Sequence, residues 1–197
     1  PLVGTRCEVG KFYQDLRFEE THVLRNAAAS LSLGHLYSHY LYASARSLSE
    51  RLTRGDRELA YQIVLPALGT AANPFHLFGM ELNRVERMQE VLEDDSLAPW
   101  LNVCSRLDYD NSNYINCGRC FKCFPLLLVA ESINRLDLLE RNFDLDAFAR
   151  FKKRCYANLA VKTFGPRGFN TGRICLRWLR DRPSSLPWWL AALAKTL

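Results

Sequence analysis

Three cysteines at regular spacing constrain this chain more than any other feature. Cys117, Cys120 and Cys123 form two successive Cys-x-x-Cys steps, and Cys104 lies thirteen residues before the first of them. Such steps let three thiolates surround one ion, because Gly118 inside the first step permits a tight turn. Cys104 can supply the fourth ligand of a tetrahedron. Four soft thiolates in that geometry suit zinc, so we predict a zinc site at these four cysteines.

Two alternatives stay open for the cysteine run. The first is an iron–sulfur cluster, although a ferredoxin-type run places its fourth cysteine just downstream, where this chain has Phe124 and Pro125. The second is a chance grouping of thiols or disulfides, which an odd total of seven cysteines in 197 residues disfavours. We therefore predict a reducing, cytoplasmic location. The isolated Cys7, Cys155 and Cys175 are expected to be small buried hydrophobic residues.

Charge is distributed unevenly along the chain. Residues 150–197 contain 11 Lys or Arg and one Asp or Glu, whereas residues 1–149 contain 15 and 20. Aromatic residues alternate with the basic ones, a mixture that can follow a phosphate backbone and stack on bases. This predicts nucleic acid as a candidate partner, through residues 150–182. No apolar run approaches the roughly 20 residues that a membrane span requires, so a membrane partner is not predicted.

The hydrophobic pattern alternates between extended and helical segments, which is typical of an α/β fold. Pro125 suits the first turn of a helix, and Gly34 is expected to divide a long Ala- and Leu-rich region into two helices. Extended segments are predicted at 2–9, 58–65 and 100–104. Helices are predicted at 19–33, 36–52, 83–93, 126–139, 144–164, 174–180 and 188–197.

Three stretches together resemble a known family. They are residues 78–88 (Phe-Gly-Met-Glu-Leu-Asn-Arg-Val-Glu-Arg-Met), 101–104 (Leu-Asn-Val-Cys) and 116–123 (Asn-Cys-Gly-Arg-Cys-Phe-Lys-Cys). The chain resembles the carboxy-terminal half of PP-loop ATP pyrophosphatase-like proteins of the adenine nucleotide alpha hydrolase superfamily, in particular those related to 7-cyano-7-deazaguanine synthase. The resemblance implies a Rossmann-like (HUP-type) parallel sheet with helices and a four-cysteine zinc site. It divides the chain into a partial PP-loop-type domain, 1–140, and a helical basic extension, 141–197.

The resemblance also implies a chemistry. Members of this family activate a carboxylate or a purine-like substrate by adenylation with ATP and Mg²⁺, in the manner of a ligase or synthetase. Their Ser-Gly-Gly-x-Asp-Ser loop, whose amides hold pyrophosphate, is absent from this chain. We therefore expect it in an amino-terminal segment or a partner protein. His35 and Arg84 are the candidate nucleotide- or substrate-binding residues, and the catalytic residues stay unassigned.

A different class of function fits the same sequence. The chain could be a non-catalytic zinc module that binds nucleic acid or a protein partner through its basic carboxy-terminal region. Arg119 and Lys122 lie within the cysteine turn, where their charge would partly offset a zinc tetrathiolate. His35 and His39, four residues apart, are expected on one helical face, but no third ligand accompanies them.

Overall fold

The computed structural model describes residues 8, 15, 16, 18–44, 47, 48, 59–106, 113–165, 170–182 and 186–197, with the backbone alone at 18–20, 59–63 and 170. The chain is a mixture of helices and strands that divides into two compact units, 1–83 and 84–197. The boundary predicted at 140/141 falls inside the second unit. The extended segment predicted at 2–9 lies outside the described residues apart from Glu8. Within the described residues, no helix has the length and apolar character needed to cross a membrane.

The first unit contains two parallel strands connected through a helix. Its elements are α1 (Phe18–Ser32), β1 (Tyr40–Ala43), α2 (Leu59–Leu68) and β2 (Phe75–Phe78), with a 3₁₀ turn at Gly34–Leu36. β1 pairs with β2 so that Tyr40 lies opposite Phe75 and Ala43 opposite Phe78. The buried residues Val23, Ala27, Leu65 and Phe75 pack together beneath this pair.

Two predictions in this unit are wrong. Residues 40–43 are a strand where a helix was expected, because alternate side chains point to a more and a less exposed face and the tyrosines suit a pleated surface. Leu59–Leu68 is a helix where residues 58–65 were predicted to be extended. A short continuous apolar run does not distinguish a strand from a buried helix, and only packing resolved it.

The second unit is helical. It contains α3 (Arg84–Glu93), α4 (Cys123–Ser132), α5 (Leu145–Phe164), α6 (Asn170–Arg180) and α7 (Trp188–Ala194), with 3₁₀ turns at Ala98–Trp100 and Asp137–Leu139. These bounds confirm the helices predicted at 83–93, 144–164 and 174–180 and the helix start near Pro125. They shorten the segment expected at 188–197.

α4 lies at the centre of the core of this unit. All its residues from Cys123 to Ala130 are buried, and it packs against α3, α5 and α6. The Phe124 ring lies 5.7 Å from Phe148 and 5.3 Å from Tyr156 between ring centroids. A helix that is apolar on every side must be surrounded by protein, so the helix that begins at a cysteine of the motif also organises the core.

Two further boundaries differ from the prediction for physical reasons. The helix expected at 126–139 ends at Ser132, because Asn134 adopts a left-handed φ of 57° and the Arg135 amide bonds back to the carbonyl of Ala130 at 2.8 Å. The strand predicted at 100–104 is absent from the described structure: a 3₁₀ turn is followed by irregular backbone. The amides of Val103 and Cys104 donate hydrogen bonds to the side chain of Asn116 and not to a neighbouring strand.

Candidate metal centre

The four cysteines of the motif converge on one point. The Sγ atoms of Cys104, Cys117, Cys120 and Cys123 all lie within 4.8 Å of one another. A tetrahedron with Zn–S bonds near 2.3 Å has sulfur atoms about 3.8 Å apart, so roughly 1 Å of adjustment at most would centre one ion. Cys117 and Cys123 are fully buried, whereas Cys104 and Cys120 are half-buried. The cluster can therefore hold a metal ion.

The turn from Cys117 to Cys123, called the cysteine turn below, is shaped by local backbone geometry. Gly118 has a φ of +65°, and a Cβ at this position would overlap the carbonyl oxygen of Asp144. Glycine alone has no Cβ to cause this overlap and also adopts a positive φ without strain. The Cys123 amide donates to Cys120 Sγ at 3.4 Å, and the Phe124 amide donates to the Cys120 carbonyl at 2.9 Å. These bonds carry the turn directly into α4.

Cys104 reaches the cluster through one buried side chain, that of Asn116. The Asn116 Oδ1 atom accepts hydrogen bonds from the amides of Val103, at 2.8 Å, and Cys104, at 3.0 Å. Its Nδ2 atom donates to the carbonyls of Leu101, at 2.8 Å, and Asn142, at 3.2 Å. The side chain thus uses both its acceptor and its donors, and it fixes residues 101–104 beside the residue that begins the cysteine turn.

A second asparagine holds the other end of the same segment. Asn142 is buried and donates through Nδ2 to the carbonyl of Pro99. The backbone of Asn116 exchanges hydrogen bonds of 2.9 Å with Asn142 and Asp144, in a parallel bridge opposite Phe143. Asp144 then caps α5 by accepting from the Ala147 amide at 2.7 Å. Residues 99–104, called the Cys104 segment below, are therefore attached to the loop that starts α5.

The electrostatics of the cluster are asymmetric. A hydrogen bond from the Cys123 thiol lowers the pKa of Cys120, and the same bond raises the pKa of Cys123, with burial as the next cause. Burial also raises the pKa of Cys117. The thiolate form is therefore favoured at Cys120, and the protonated form at Cys117 and Cys123. A divalent cation reverses such a balance, because it stabilises every coordinating thiolate.

The two other predicted site residues belong to different units. His35 is exposed in the 3₁₀ turn of the first unit. Arg84 begins α3 in the second unit, where its Nη1 atom lies 3.4 Å from Thr171 Oγ1. Their assignment to a nucleotide or substrate stays a prediction.

The expectation that His39 shares a helical face with His35 is wrong, because His39 lies outside any helix and immediately precedes β1. Its Nδ1 atom lies 3.0 Å from Nε2 of His76, which is on the neighbouring strand β2. The sequence analysis did not identify His76. His39 and His76 are 37 positions apart in the chain, so no local sequence pattern could have paired them.

The basic extension uses part of its charge internally. Lys152 Nζ bonds both carboxylate oxygens of Glu131, at 2.5 and 2.7 Å. Arg180 pairs with Asp181 at 2.9 Å, and Arg177 Nε donates to the Leu197 carbonyl at 2.9 Å. Other basic residues of α5 are exposed, among them Arg150, Lys153, Arg154 and Lys162. Nucleic acid as a partner of residues 150–182 stays a prediction.

Sequence reasoning identified the four cysteines and the glycine but missed Asn116 and Asn142. An asparagine immediately before Cys117 is a weak signal, since asparagine is usually exposed. In the structure the Asn116 side chain is buried, and its hydrogen bonds show that it holds the Cys104 segment. Comparisons of the chain with protein-family models, with curated proteins and with solved structures found no match.

Proposed function

We propose that the four cysteines bind one zinc ion and that this ion is structural. The observation that best supports this proposal is that the four Sγ atoms lie within 4.8 Å of one another. Structural zinc sites are closed by four protein ligands, whereas catalytic sites keep a position for water or substrate. Four thiolates leave no such position, so the zinc serves the fold and not a reaction.

The spacing of the sulfur atoms supports a single ion over an iron–sulfur cluster. In a four-iron cluster each thiolate binds a different iron, which separates the thiolates more widely than the ligands of one ion. Mutual distances of 4.8 Å or less are close to the edge of a single-metal tetrahedron. A single iron would fit the same donors and is distinguished by its visible absorption.

The position of the cluster explains why its metal would determine stability. Cys117 and Cys123 belong to the main core of the second unit, and α4 begins at Cys123. The ion would link the Cys104 segment, the cysteine turn and the first residue of the central helix. Metal binding at such a site is coupled to folding.

Elemental analysis of the purified full chain tests this proposal. We expect one zinc per chain, and loss of helical circular dichroism when a strong chelator removes it. Cys120→Ser should lose the metal and melt at a markedly lower temperature. A chain that contains neither zinc nor iron, or a Cys120→Ser variant with unchanged melting temperature, would overturn the structural-zinc proposal.

For the wider role, we propose that the module belongs to an ATP-dependent, adenylating enzyme of the PP-loop type. The supporting observation is the order β1–α2–β2 with parallel pairing, since a parallel pair joined through a helix is the repeating unit of Rossmann-like sheets. The substrate would be a carboxylate or a purine-like molecule. The Ser-Gly-Gly-x-Asp-Ser loop would come from another segment or a partner, and His35 and Arg84 are the candidate nucleotide- or substrate-binding residues.

Titration of the zinc-loaded chain with ATP, with and without Mg²⁺, tests the enzymatic role. We expect ATP binding to require Mg²⁺ and to strengthen when a protein carrying the Ser-Gly-Gly-x-Asp-Ser loop is added. Absence of ATP binding under both conditions would favour the second candidate, a non-catalytic module that binds nucleic acid.

The exposed basic residues on α5 support that second candidate. Binding to a single-stranded oligonucleotide should then weaken steeply as salt rises, with a slope of about −0.7 per phosphate neutralised on a double-logarithmic plot. A flat salt dependence would contradict it.

A further inference from the structure

A basic groove lies next to the cysteine turn. Two adjoining cavities, one smaller and one larger, share Arg119, Cys155 and Asn158 in their walls. The smaller cavity is also lined by Cys120, so the groove borders the metal centre directly. It therefore depends on the same local backbone as the proposed zinc site.

Helical periodicity explains why α5 forms one wall of this groove. The lining residues of α5 recur three or four positions apart, which places them on one face of the helix. They are Phe151, Arg154, Cys155, Asn158, Leu159 and Lys162. Lys153 lies on the opposite face of the same helix and does not line either cavity.

Four cations surround the groove. Arg119 and Lys162 line the smaller cavity, and Arg106, Arg119 and Arg154 line the larger one. Among the described residues, no acidic side chain lines either cavity, and none of the four cations forms an ion pair. This distinguishes them from Lys152 on the same helix, which Glu131 neutralises.

The side chains in the groove can donate hydrogen bonds to an anion. The Arg119 guanidinium carbon lies 4.9 Å above the Phe151 ring, which orients the group, and its Nε atom is buried without a hydrogen-bond partner in the described structure. Lys162 Nζ lies 5.0 Å above the Phe121 ring. Asn158 adds an amide. A buried guanidinium donor with no partner is costly, and a bound oxyanion would satisfy it.

Neutralisation of the metal centre does not account for all of this charge. A zinc ion with four thiolates has a formal charge of −2, and the four cations together have a formal charge of +4. The excess matches a doubly charged oxyanion. Arginine recognises phosphate oxygens through paired hydrogen bonds.

We propose that this groove binds a phosphate group. The inference rests on the proposed zinc site, because the cysteine turn carries Arg119. The phosphate could belong to a small molecule or to a nucleic-acid backbone, since both present the same oxygens to the guanidinium groups.

Calorimetric titration of the zinc-loaded full chain tests the proposal with three probes: pyrophosphate, AMP and a short thymidine oligonucleotide. Arg154→Gln and Lys162→Gln each remove one groove cation from an exposed position, so both variants should fold. We expect each to weaken binding roughly tenfold, as for the loss of a charge-assisted hydrogen bond. Lys153→Gln is the matched control and should bind like the parent chain.

Each result has a defined meaning. Binding of pyrophosphate or AMP that falls in the groove variants and not in Lys153→Gln supports a small phosphorylated ligand, and the same pattern with the oligonucleotide alone supports a nucleic-acid phosphate. Failure of all three probes, or equal weakening by Lys153→Gln, would overturn the proposal. Zinc content measured on every sample separates the two hypotheses: a zinc-loaded chain that binds no probe leaves the structural-zinc proposal intact.

Discussion

The cysteine turn and the Cys104 segment deliver ligands to the same cluster by different means. In the turn, Cys117, Cys120 and Cys123 are brought together by a left-handed glycine and a helix start, within seven residues. The Cys104 segment has no regular backbone structure at its cysteine and is attached through the side chain of Asn116. One region organises its ligands locally, whereas the other depends on a tertiary hydrogen-bond network. Four substitutions test how far this difference extends.

The largest effect should come from Cys123→Ser, in the turn. Cys123 is fully buried and begins the central helix, so its loss should abolish zinc binding and unfold the second unit. Structural zinc contributes on the order of 10 kcal/mol in zinc-finger peptides. Zinc content and helical circular dichroism measure the outcome. Cys175→Ala, at an equally buried cysteine outside the cluster, should keep one zinc; loss of zinc in both variants would show that any core damage releases the ion.

Cys104→Ser should be less severe, because the turn keeps three thiolates in place. We expect zinc affinity to fall by more than about 100-fold, beyond the 10–100-fold typical of losing an outer-sphere hydrogen bond. Competition with a chromophoric chelator measures the affinity. If Cys104→Ser lost zinc as completely as Cys123→Ser, the turn would not be a self-sufficient half-site.

Gly118→Ala should destabilise the chain by roughly 2–3 kcal/mol, from the left-handed conformation and the overlap with the Asp144 carbonyl. Thermal denaturation of the zinc-loaded chain measures it. Gly118→Asn separates the two causes, because asparagine tolerates this φ but still carries a Cβ. Equal destabilisation by both variants would assign the cost to the overlap, and a mild Asn variant would assign it to φ.

Asn116→Ala should weaken zinc binding less than either cysteine substitution. Every ligand remains, but the amides of Val103 and Cys104 lose their acceptor, and zinc affinity should fall roughly 10–100-fold. Asn102→Ala, at an exposed asparagine of the same segment, is the matched control. Unchanged affinity in Asn116→Ala would mean that Cys104 reaches the cluster without the tertiary network.

Local sequence patterns correctly predicted helices whose first residues are set by neighbouring side chains. α5 begins after Asp144 because the aspartate caps it, and α4 begins near Pro125 because proline suits a first turn. Residues 59–65 and 40–43 were assigned incorrectly, since short apolar or aromatic runs fit either helix or strand until their packing partners are known. The cysteine cluster was predictable for the same reason as the caps: its spacing is local.

The sequence by itself determined four thiolates at metal-binding spacing, a glycine where the turn requires a left-handed residue, and a basic carboxy-terminal region. Only the tertiary structure decided that Asn116 and Asn142 hold the Cys104 segment, that His39 lies beside His76, and that four cations border one groove whose described walls contain no acidic residue. The physical reason is distance along the chain. Spacing within one turn or helix constrains neighbours through backbone geometry, whereas contacts between distant residues follow from how the whole core packs.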